Sequence, residues 1–288
     1  MSTQIKHVFI KKFKTTIRSP SIFFSIMLPI IFIVIGVIIA LEAFPVVPND
    51  QKTTIINTWS RYYTWSTFMC LAFAFNTASY CGSLVKEREI SFKYLSYVMG
   101  MKKPAYWIGT ILFDLLQFCL PFSIIFLVIG CFPSDQNAAF VASFGWLALT
   151  LIVFSFSFLP FTYLWSFAFD KAASAFRFYP FLVYFGFFVI PEIPMFFWPD
   201  SPAIIYVLPI VSPLLSLNAC MLSKQMLGSE NYNLISVISN TYDIQFFTQP
   251  AIWYPLIILL AQAIIFFVLV LVLDNLKFNL NDRMDLDS

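Results

Sequence analysis

Charge is what this sequence has least of. Only 11% of its 288 residues are charged, whereas 60% are apolar and the mean hydropathy is +0.82. A soluble domain carries roughly 25% charged residues. The apolar residues gather in several runs of about 20, which is long enough to cross ~30 Å of hydrocarbon. We therefore expect a single helical domain, residues 1–288, that spans a membrane several times.

Catalytic and metal-binding patterns are also missing. The chain has one histidine, His7, and its five cysteines form no CxxC pair. It contains no HExxH, GxSxG or GxxxxGK[ST] pattern, so we expect no catalytic residue, no metal site and no loop that cradles ATP phosphates. No nucleic-acid partner is expected. No small-residue cleavage site follows the basic N-terminus, so the first span is expected to be a retained signal anchor.

The apolar runs predict an all-α bundle of six spans. They cover about residues 20–41, 62–85, 104–131, 139–169, 178–198 and 251–273. The segment Ala203–Leu222 is also apolar, but Pro209 and Pro213 interrupt it. Because proline removes backbone donors, this piece is expected to dip into the membrane and return, within an extracytosolic region 199–250. A seventh span is the alternative.

The distribution of basic residues predicts the orientation. With both termini in the cytosol, all but three of the 17 Lys and Arg lie inside, the exceptions being Lys52, Arg61 and Lys224. Residues 274–288 then form a cytosolic tail. Residues 1–19 form an amphipathic helix on the inner membrane surface, because the apolar and basic side chains fall on different faces. The apolar face holds Phe9, Phe13 and Ile17, and the basic face holds Lys11, Lys14 and Arg18.

The cytosolic segment 86–103 has two helical faces. One carries Lys86, Glu89, Lys93 and Ser96, and the other carries Ile90, Tyr94, Tyr97 and Met101. We expect the apolar face to lie on the membrane and the charged face to meet a partner. The alternative is a solvated loop that only sets the topology.

A polar stripe follows in the third predicted span. Thr110, Asp114 and Gln117 fall on one side of that helix, so the stripe is expected to face the bundle interior. A carboxylate at membrane depth costs several kcal/mol unless it is paired. The span offers no basic partner, which favours an interhelical hydrogen-bond anchor over a role in coupling or in the substrate path. Asp114 is taken as the one acid at membrane depth, which argues against an ion-coupled carrier.

Two segments resemble a known family. The first runs from Lys86 through Lys93-Tyr94-Leu95, Tyr97-Val98-Met99-Gly100 and Tyr106-Trp107 to Asp114. The second fits P-x-x-Y-x-x-S-F-x-F-[DE], with Pro160, Tyr163, Ser166 and Asp170 expected on one helix face. Both resemble the ABC-2 type transmembrane domain in its ABCA version, a family of lipid exporters.

The resemblance implies a function and partners. Glu87, Arg88, Glu89 and Lys93 would belong to a coupling helix that docks on an ATPase domain, their charges pairing across that interface. ATP and Mg²⁺ would be bound by that partner, and a second six-span half would complete a pathway for membrane lipid. The large extracellular domain and the nucleotide-binding domain of ABCA halves have no counterpart here, so we expect a half-transporter subunit or a piece of one. The alternatives are a non-transporting membrane scaffold and an independent channel or carrier.

Overall fold

The structure, a computed structural model, describes residues 2–17, 21–42, 51–131, 144–197, 202–223 and 251–286. These residues are mostly helical, and no strand occurs among them, so the expected all-α class is confirmed there. The helices are α1 (Ser2–Ile17), α2 (Ser21–Glu42), α3 (Gln51–Glu89), α4 (Phe92–Val98), α5 (Lys103–Cys131), α6 (Phe144–Ser166), α7 (Ala172–Phe181), α8 (Ile190–Phe197), α9 (Pro202–Val211), α10 (Pro213–Met221) and α11 (Trp253–Leu286). A π-helical stretch, Leu182–Val189, joins α7 to α8 in one continuous helix.

Four stretches of the described helices are long and apolar enough to cross a bilayer. They are Tyr63–Glu89, Phe144–Ser166, Ala172–Pro194 and Trp253–Leu276, and they correspond to the second, fourth, fifth and sixth predicted spans. Helices α2 and α5 cover the first and third predicted spans, with 22 and 29 residues. The count of six spans and the re-entrant segment stay predictions.

Several helix boundaries differ from the expected ones, including the start of α7 and the end of α11. Helix α3 begins at Gln51, within the stretch expected to be a loop, and not at Tyr62. Helix α6 ends at Ser166, before the expected Phe169, because the backbone turns at Phe167 and Ala168.

Helix α6 lies at the centre of the bundle. It packs on α3, α5, α10 and α11, and the face that meets α3 and α5 is aromatic. The rings of Phe73 and Phe154 lie 5.2 Å apart, and that of Phe118 stacks on Phe73, also at 5.2 Å. Phe154 continues the stack to Phe158 at 4.9 Å. Such ring pairs add to the burial of apolar area, so they fix how α3, α5 and α6 fit together.

The proline-containing segment after α8 folds as two short helices. Ser212 is extended (φ −151°, ψ 154°) and separates α9 from α10, whose first residue is Pro213. The Ser212 hydroxyl oxygen caps α10 by accepting from the Leu215 amide at 3.3 Å. The same hydroxyl donates to the Phe187 carbonyl of the π-helical stretch at 2.6 Å. Every residue of α10 is buried, so this helix belongs to the core of the bundle.

Helices α1 and α4 and the end of α11 meet at one end of the bundle. The Gln4 side chain donates to the Gly100 carbonyl at 3.1 Å, and Lys103 donates to the Asn275 side chain at 2.8 Å. Helix α1 crosses α5 at Gly109, where a Cβ atom would lie only 2.9 Å from the Val8 Cβ. A helix is thus present at the N-terminus and packs against α5. Its position on the inner membrane surface stays a prediction.

Candidate coupling site

Helix α4 is held between two backbone turns. Ser91 joins it to α3 in the left-handed region (φ 52°, ψ 18°), and Gly100 precedes α5 with φ 90°. A left-handed residue costs little only when it is glycine, so Gly100 suits its position. The Met101 amide donates to the Ser96 carbonyl at 3.0 Å and closes the end of α4. The chain therefore presents a seven-residue helix in a fixed orientation between α3 and α5.

Glu87 is used inside the chain. Its carboxylate accepts from Lys11 Nζ at 3.1 Å and from the Tyr106 hydroxyl at 2.5 Å. Partial burial lowers the pKa of Lys11, although the Glu87 carboxylate opposes that shift. The pair joins α1 to the end of α3. The expected pairing of Glu87 across a partner interface stays a prediction.

Arg88 and Glu89 bind the ends of two other helices. Arg88 Nη2 donates to the Ser166 carbonyl and, at 3.5 Å, to the Phe169 carbonyl, where α6 ends. Glu89 Oε2 accepts from the Ala172 amide at 3.2 Å, where α7 begins. A cation at a helix C-terminus and an anion at a helix N-terminus both interact favourably with the helix dipole. They also satisfy backbone groups that have no partner within the helix. These two charges therefore tie the end of α3 to the α6–α7 turn.

Lys93 is buried and paired with the last helix. It is 7% exposed, and its Nζ lies 2.5 Å from Asp274 Oδ1 of α11. Asp274 Oδ2 also accepts from Trp107 Nε1 at 3.0 Å and from the Tyr97 hydroxyl at 3.4 Å. The Lys93 ammonium lies 4.2 Å from the Trp107 ring centre, a cation–π contact. One carboxylate thus joins α4, α5 and α11.

Burial shifts the pKa values of Lys93 and Tyr97. It lowers the pKa of Lys93 to about 8, because the loss of hydration outweighs the attraction of Asp274. Burial also raises the pKa of Tyr97, and the Asp274 carboxylate adds to that shift. Asp274, the first residue of the expected cytosolic tail, is buried within α11, which continues to Leu286. The cytosolic location of this segment stays a prediction.

The buried side of α4 combines residues of both expected faces, whereas Glu89 and Ile90 are exposed. Lys93 and Ser96, expected to meet a partner, are buried. Tyr97, expected to lie on the membrane, packs inward with its ring 6.0 Å from that of Tyr106. The inward face is polar because Asp274 and the aromatic side chains of α5 supply partners for it.

The outward side of α4 and its turns is apolar instead. Ile90 and Leu95 are 59% and 52% exposed, and Val98 and Met99 are 66% and 77% exposed. These four residues are called the α4 tip below. An apolar patch among charged residues is typical of a surface that meets another protein.

The polar stripe of α5 faces the interior, as expected. Thr110, Asp114 and Gln117 are all buried. The Tyr163 hydroxyl of α6 donates to Asp114 Oδ2 at 2.6 Å, and Lys12 Nζ of α1 lies 3.6 Å from Asp114 Oδ1. The Tyr163 bond is consistent with the expected interhelical anchor. The expectation that Asp114 has no basic partner was wrong, because Lys12, which is 5% exposed, reaches it from the N-terminal helix.

The P-x-x-Y-x-x-S motif lies where these contacts converge. Pro160, Tyr163 and Ser166 are buried on α6, Tyr163 bonded to Asp114 and Ser166 offering its carbonyl to Arg88. Asp170 does not share their face, because α6 ends at Ser166 and Asp170 is exposed in the turn that follows.

A buried acid in the fifth predicted span was missed. Glu192 lies in α8, 5% exposed, and accepts from the Tyr63 hydroxyl at 2.8 Å and from Asn218 Nδ2 at 2.5 Å. Ser66 donates to the Asn218 carbonyl oxygen at 2.6 Å and completes the cluster. The expectation that Asp114 is the one acid at depth is therefore wrong. The signal was visible, since Glu192 interrupts an apolar run in the fifth predicted span.

No cluster of three or more histidine, cysteine, aspartate or glutamate side chains suited to a metal ion occurs in the described residues. The end of the bundle where α1, α4 and the end of α11 meet is called the charged end. Each ion pair described above joins two different helices, so a movement of one helix would be transmitted to another.

Comparison with known proteins agrees with this arrangement. Residues 57–272 match the model of the ABC-2 family transporter proteins. A stretch of 104 residues, 36% of this chain, is 35% identical to ABC transporter A family member 5 of Dictyostelium discoideum and covers 6% of it. Stretches of 38% of this chain are 31% identical to the phospholipid-transporting ATPase ABCA7 of Homo sapiens and 27% identical to ABCA3 of Rattus norvegicus, covering 5% and 6% of them. The chain thus spans a small part of the length of these relatives. With a family match over most of its length, the chain belongs to the ABC-2 family of transporter proteins.

Proposed function

We propose that this chain is the membrane-spanning part of an ABC transporter that moves lipid, with ATP and Mg²⁺ bound by a separate domain or subunit. The family match supports the transporter assignment. Two of the relatives are named phospholipid-transporting ATPases, which supports lipid as the class of substrate. The sequence has no phosphate-binding loop, which supports ATP hydrolysis elsewhere.

The α4 tip is the observation that carries the proposal. Ile90, Leu95, Val98 and Met99 are more than half exposed at the end of the bundle that collects the basic residues. The neighbouring charges of Glu87, Arg88, Glu89 and Lys93 are bonded within the chain. An ATPase domain would therefore dock on the apolar side chains of the α4 tip. The inward charged side chains would transmit its movement to the helices to which they are bonded.

The route of that motion follows from the bonds of α4 and of the end of α3. Lys93 ties α4 to Asp274 at the end of α11. Arg88 and Glu89 tie the end of α3 to the turn between α6 and α7. A displacement of α4 would thus act on several helices at once, which is what a coupling helix requires.

We further propose that both termini and α4 lie in the cytosol and that two six-span halves pair to form the lipid pathway. The basic residues and the meeting of α1, α4 and α11 at one end support this orientation. In a background without the five native cysteines, a cysteine at Ser91 should be labelled only after permeabilisation, and one at Asn231 without it. External labelling at Ser91 would overturn the orientation.

The docking surface is tested by a charge placed on the α4 tip. Val98→Glu should weaken capture of the ATPase partner about thirtyfold, the scale of losing an interface hot spot. Thr15→Glu adds the same charge at an exposed position of α1 and is the matched control. If both variants capture the ATPase partner equally well, the proposal that α4 is the docking surface is refuted. ATP turnover by the purified chain without its partner would overturn the assignment of ATP to a separate domain.

A further inference from the structure

A groove runs between α1 and α5 at the charged end of the bundle. It has a volume of about 450 Å³ and is lined by Ile5, Lys6, Phe9, Leu112 and Leu116. Four of these five side chains are apolar, and the fifth is a lysine. The volume falls within the range of small-ligand sites, roughly 300–1,000 Å³.

The packing of α1 on α5 builds this groove. Val8 rests against Gly109, where an added Cβ atom would also lie 3.1 Å from the Ile5 carbonyl oxygen. The ring of Phe9 meets that of Phe113 edge to face, with centres 5.7 Å apart. The two helices are therefore fixed against each other, and the groove lies beside a buried contact.

The groove opens onto the outward face of α5. Leu112 and Leu116 are 48% and 53% exposed, and the apolar face continues to Leu120, which is 45% exposed. These leucines lie on the opposite side of α5 from the buried Asp114. An acyl chain placed in the groove can continue along this face of the helix.

The lysines of α1 divide into two groups. Lys11 pairs with Glu87 and Lys12 with Asp114. Lys6 and Lys14 are exposed, and neither forms an ion pair with the described residues. The helix has no acidic residue of its own, so Lys6 places an uncompensated positive charge at the groove.

We propose that this groove binds one acyl chain of an anionic phospholipid, with the lipid phosphate at Lys6. A long aliphatic stem carrying an ammonium group is suited to this boundary between apolar chain and charged headgroup. A lysine near a membrane surface also attracts anionic lipid in preference to neutral lipid. The site depends on insertion of the chain in a membrane and not on lipid transport, so its test is separate from that of the transporter function.

The test measures retention of lipid by the purified full chain. Native mass spectrometry should find one phosphatidylserine retained in preference to phosphatidylcholine with identical acyl chains. Lys6→Gln should lower the retention of phosphatidylserine about fivefold, the effect of one lysine near a membrane surface. Lys14→Gln is the matched control and should leave it unchanged, because Lys14 does not line the groove. Equal retention of the two lipids, or equal loss in both variants, would overturn the proposal.

The acyl-chain half of the site needs its own variants. Ile5→Trp should fill the groove and lower retention of phosphatidylserine, and Leu116→Ala should weaken it by removing an exposed contact without altering the core. Circular dichroism would establish that both variants fold. Soluble glycerophosphoserine should not displace the lipid. Displacement by this headgroup alone, or normal retention by Leu116→Ala together with folded Ile5→Trp, would show an anion site without a chain groove and would refute the lipid assignment.

Discussion

The buried pair of Lys93 and Asp274 predicts that its two single substitutions have unequal effects. Asp274→Asn leaves the Lys93 ammonium buried without a carboxylate, which typically costs about 3–5 kcal/mol of stability. Lys93→Met removes the cation, but Asp274 keeps its bonds from Trp107 at 3.0 Å and Tyr97 at 3.4 Å. We therefore expect a smaller loss for Lys93→Met. The double variant should lose less stability than Asp274→Asn alone, because it no longer buries an ammonium group without its carboxylate.

The same pair predicts a pH dependence with a definite sign. Burial lowers the pKa of Lys93 from 10.5 to about 8, so the folded chain loses this proton at a lower pH than the unfolded chain does. Between those values the unfolded state binds more protons, and the free energy of unfolding rises with pH. The slope is about 1.4 kcal/mol per pH unit and the total is about 3 kcal/mol. Below pH 8 Lys93 contributes no slope.

Chemical unfolding in detergent micelles, followed by tryptophan emission, measures both effects. The wild type should gain stability from pH 8 to pH 10 relative to Lys93→Met, which lacks the titrating group. Lys103→Met, at a solvent-exposed bond to Asn275, is the control and should change stability by no more than about 0.5 kcal/mol. If Lys93→Met costs as much as Asp274→Asn, or keeps the rise with pH, then Lys93 is not buried against Asp274 as described.

Three further predictions concern the helix contacts. Gly100→Ala should lower the free energy of unfolding by roughly 1–2 kcal/mol, because the φ of 90° is left-handed. No neighbour lies within 4 Å of the added Cβ atom, so the loss would come from the backbone alone. An unchanged unfolding midpoint would contradict the left-handed turn. Gly109→Val should push α1 off α5 and raise thiol labelling of a cysteine at Val8, which should stay protected in the parent chain. Tyr163→Phe should lower stability by about 1.5–3 kcal/mol, the value of a hydrogen bond to a charged group, and no loss would show that Asp114 does not depend on it.

The helices were predictable from the sequence because each is a long apolar run or an amphipathic stretch. The long-range pairs were not. Lys93 and Asp274 lie 181 residues apart, and no local pattern indicates which basic residue reaches which acid. Glu192 differs, because an acid within an apolar run is itself a signal that was available and overlooked.

The orientation of α4 shows why periodicity was insufficient. The spacing placed Lys93 and Ser96 on one face and Tyr97 on the other, but all three side chains turn inward. A charged side chain is normally expected outside, because its burial costs hydration. Here the packing of α5 and α11 supplies a carboxylate and aromatic rings for Lys93, and this compensation is visible only once the helices are assembled.

The inward contacts of Glu87 and Arg88 predict a structural role for these two charges and a docking role for the α4 tip. Two variants distinguish the roles. Exchanging Glu87 and Arg88 places an arginine beside Lys11 and a glutamate against the carbonyls at the end of α6. Both placements are repulsive, so the exchange should destabilise the chain by several kcal/mol even without an ATPase partner. Val98→Glu should leave the unfolding midpoint unchanged, because Val98 is 66% exposed, and should lose only partner capture. An exchange variant as stable as the wild type, with loss of partner capture alone, would mean that the charges of Glu87 and Arg88 form the interface and that the α4 tip does not.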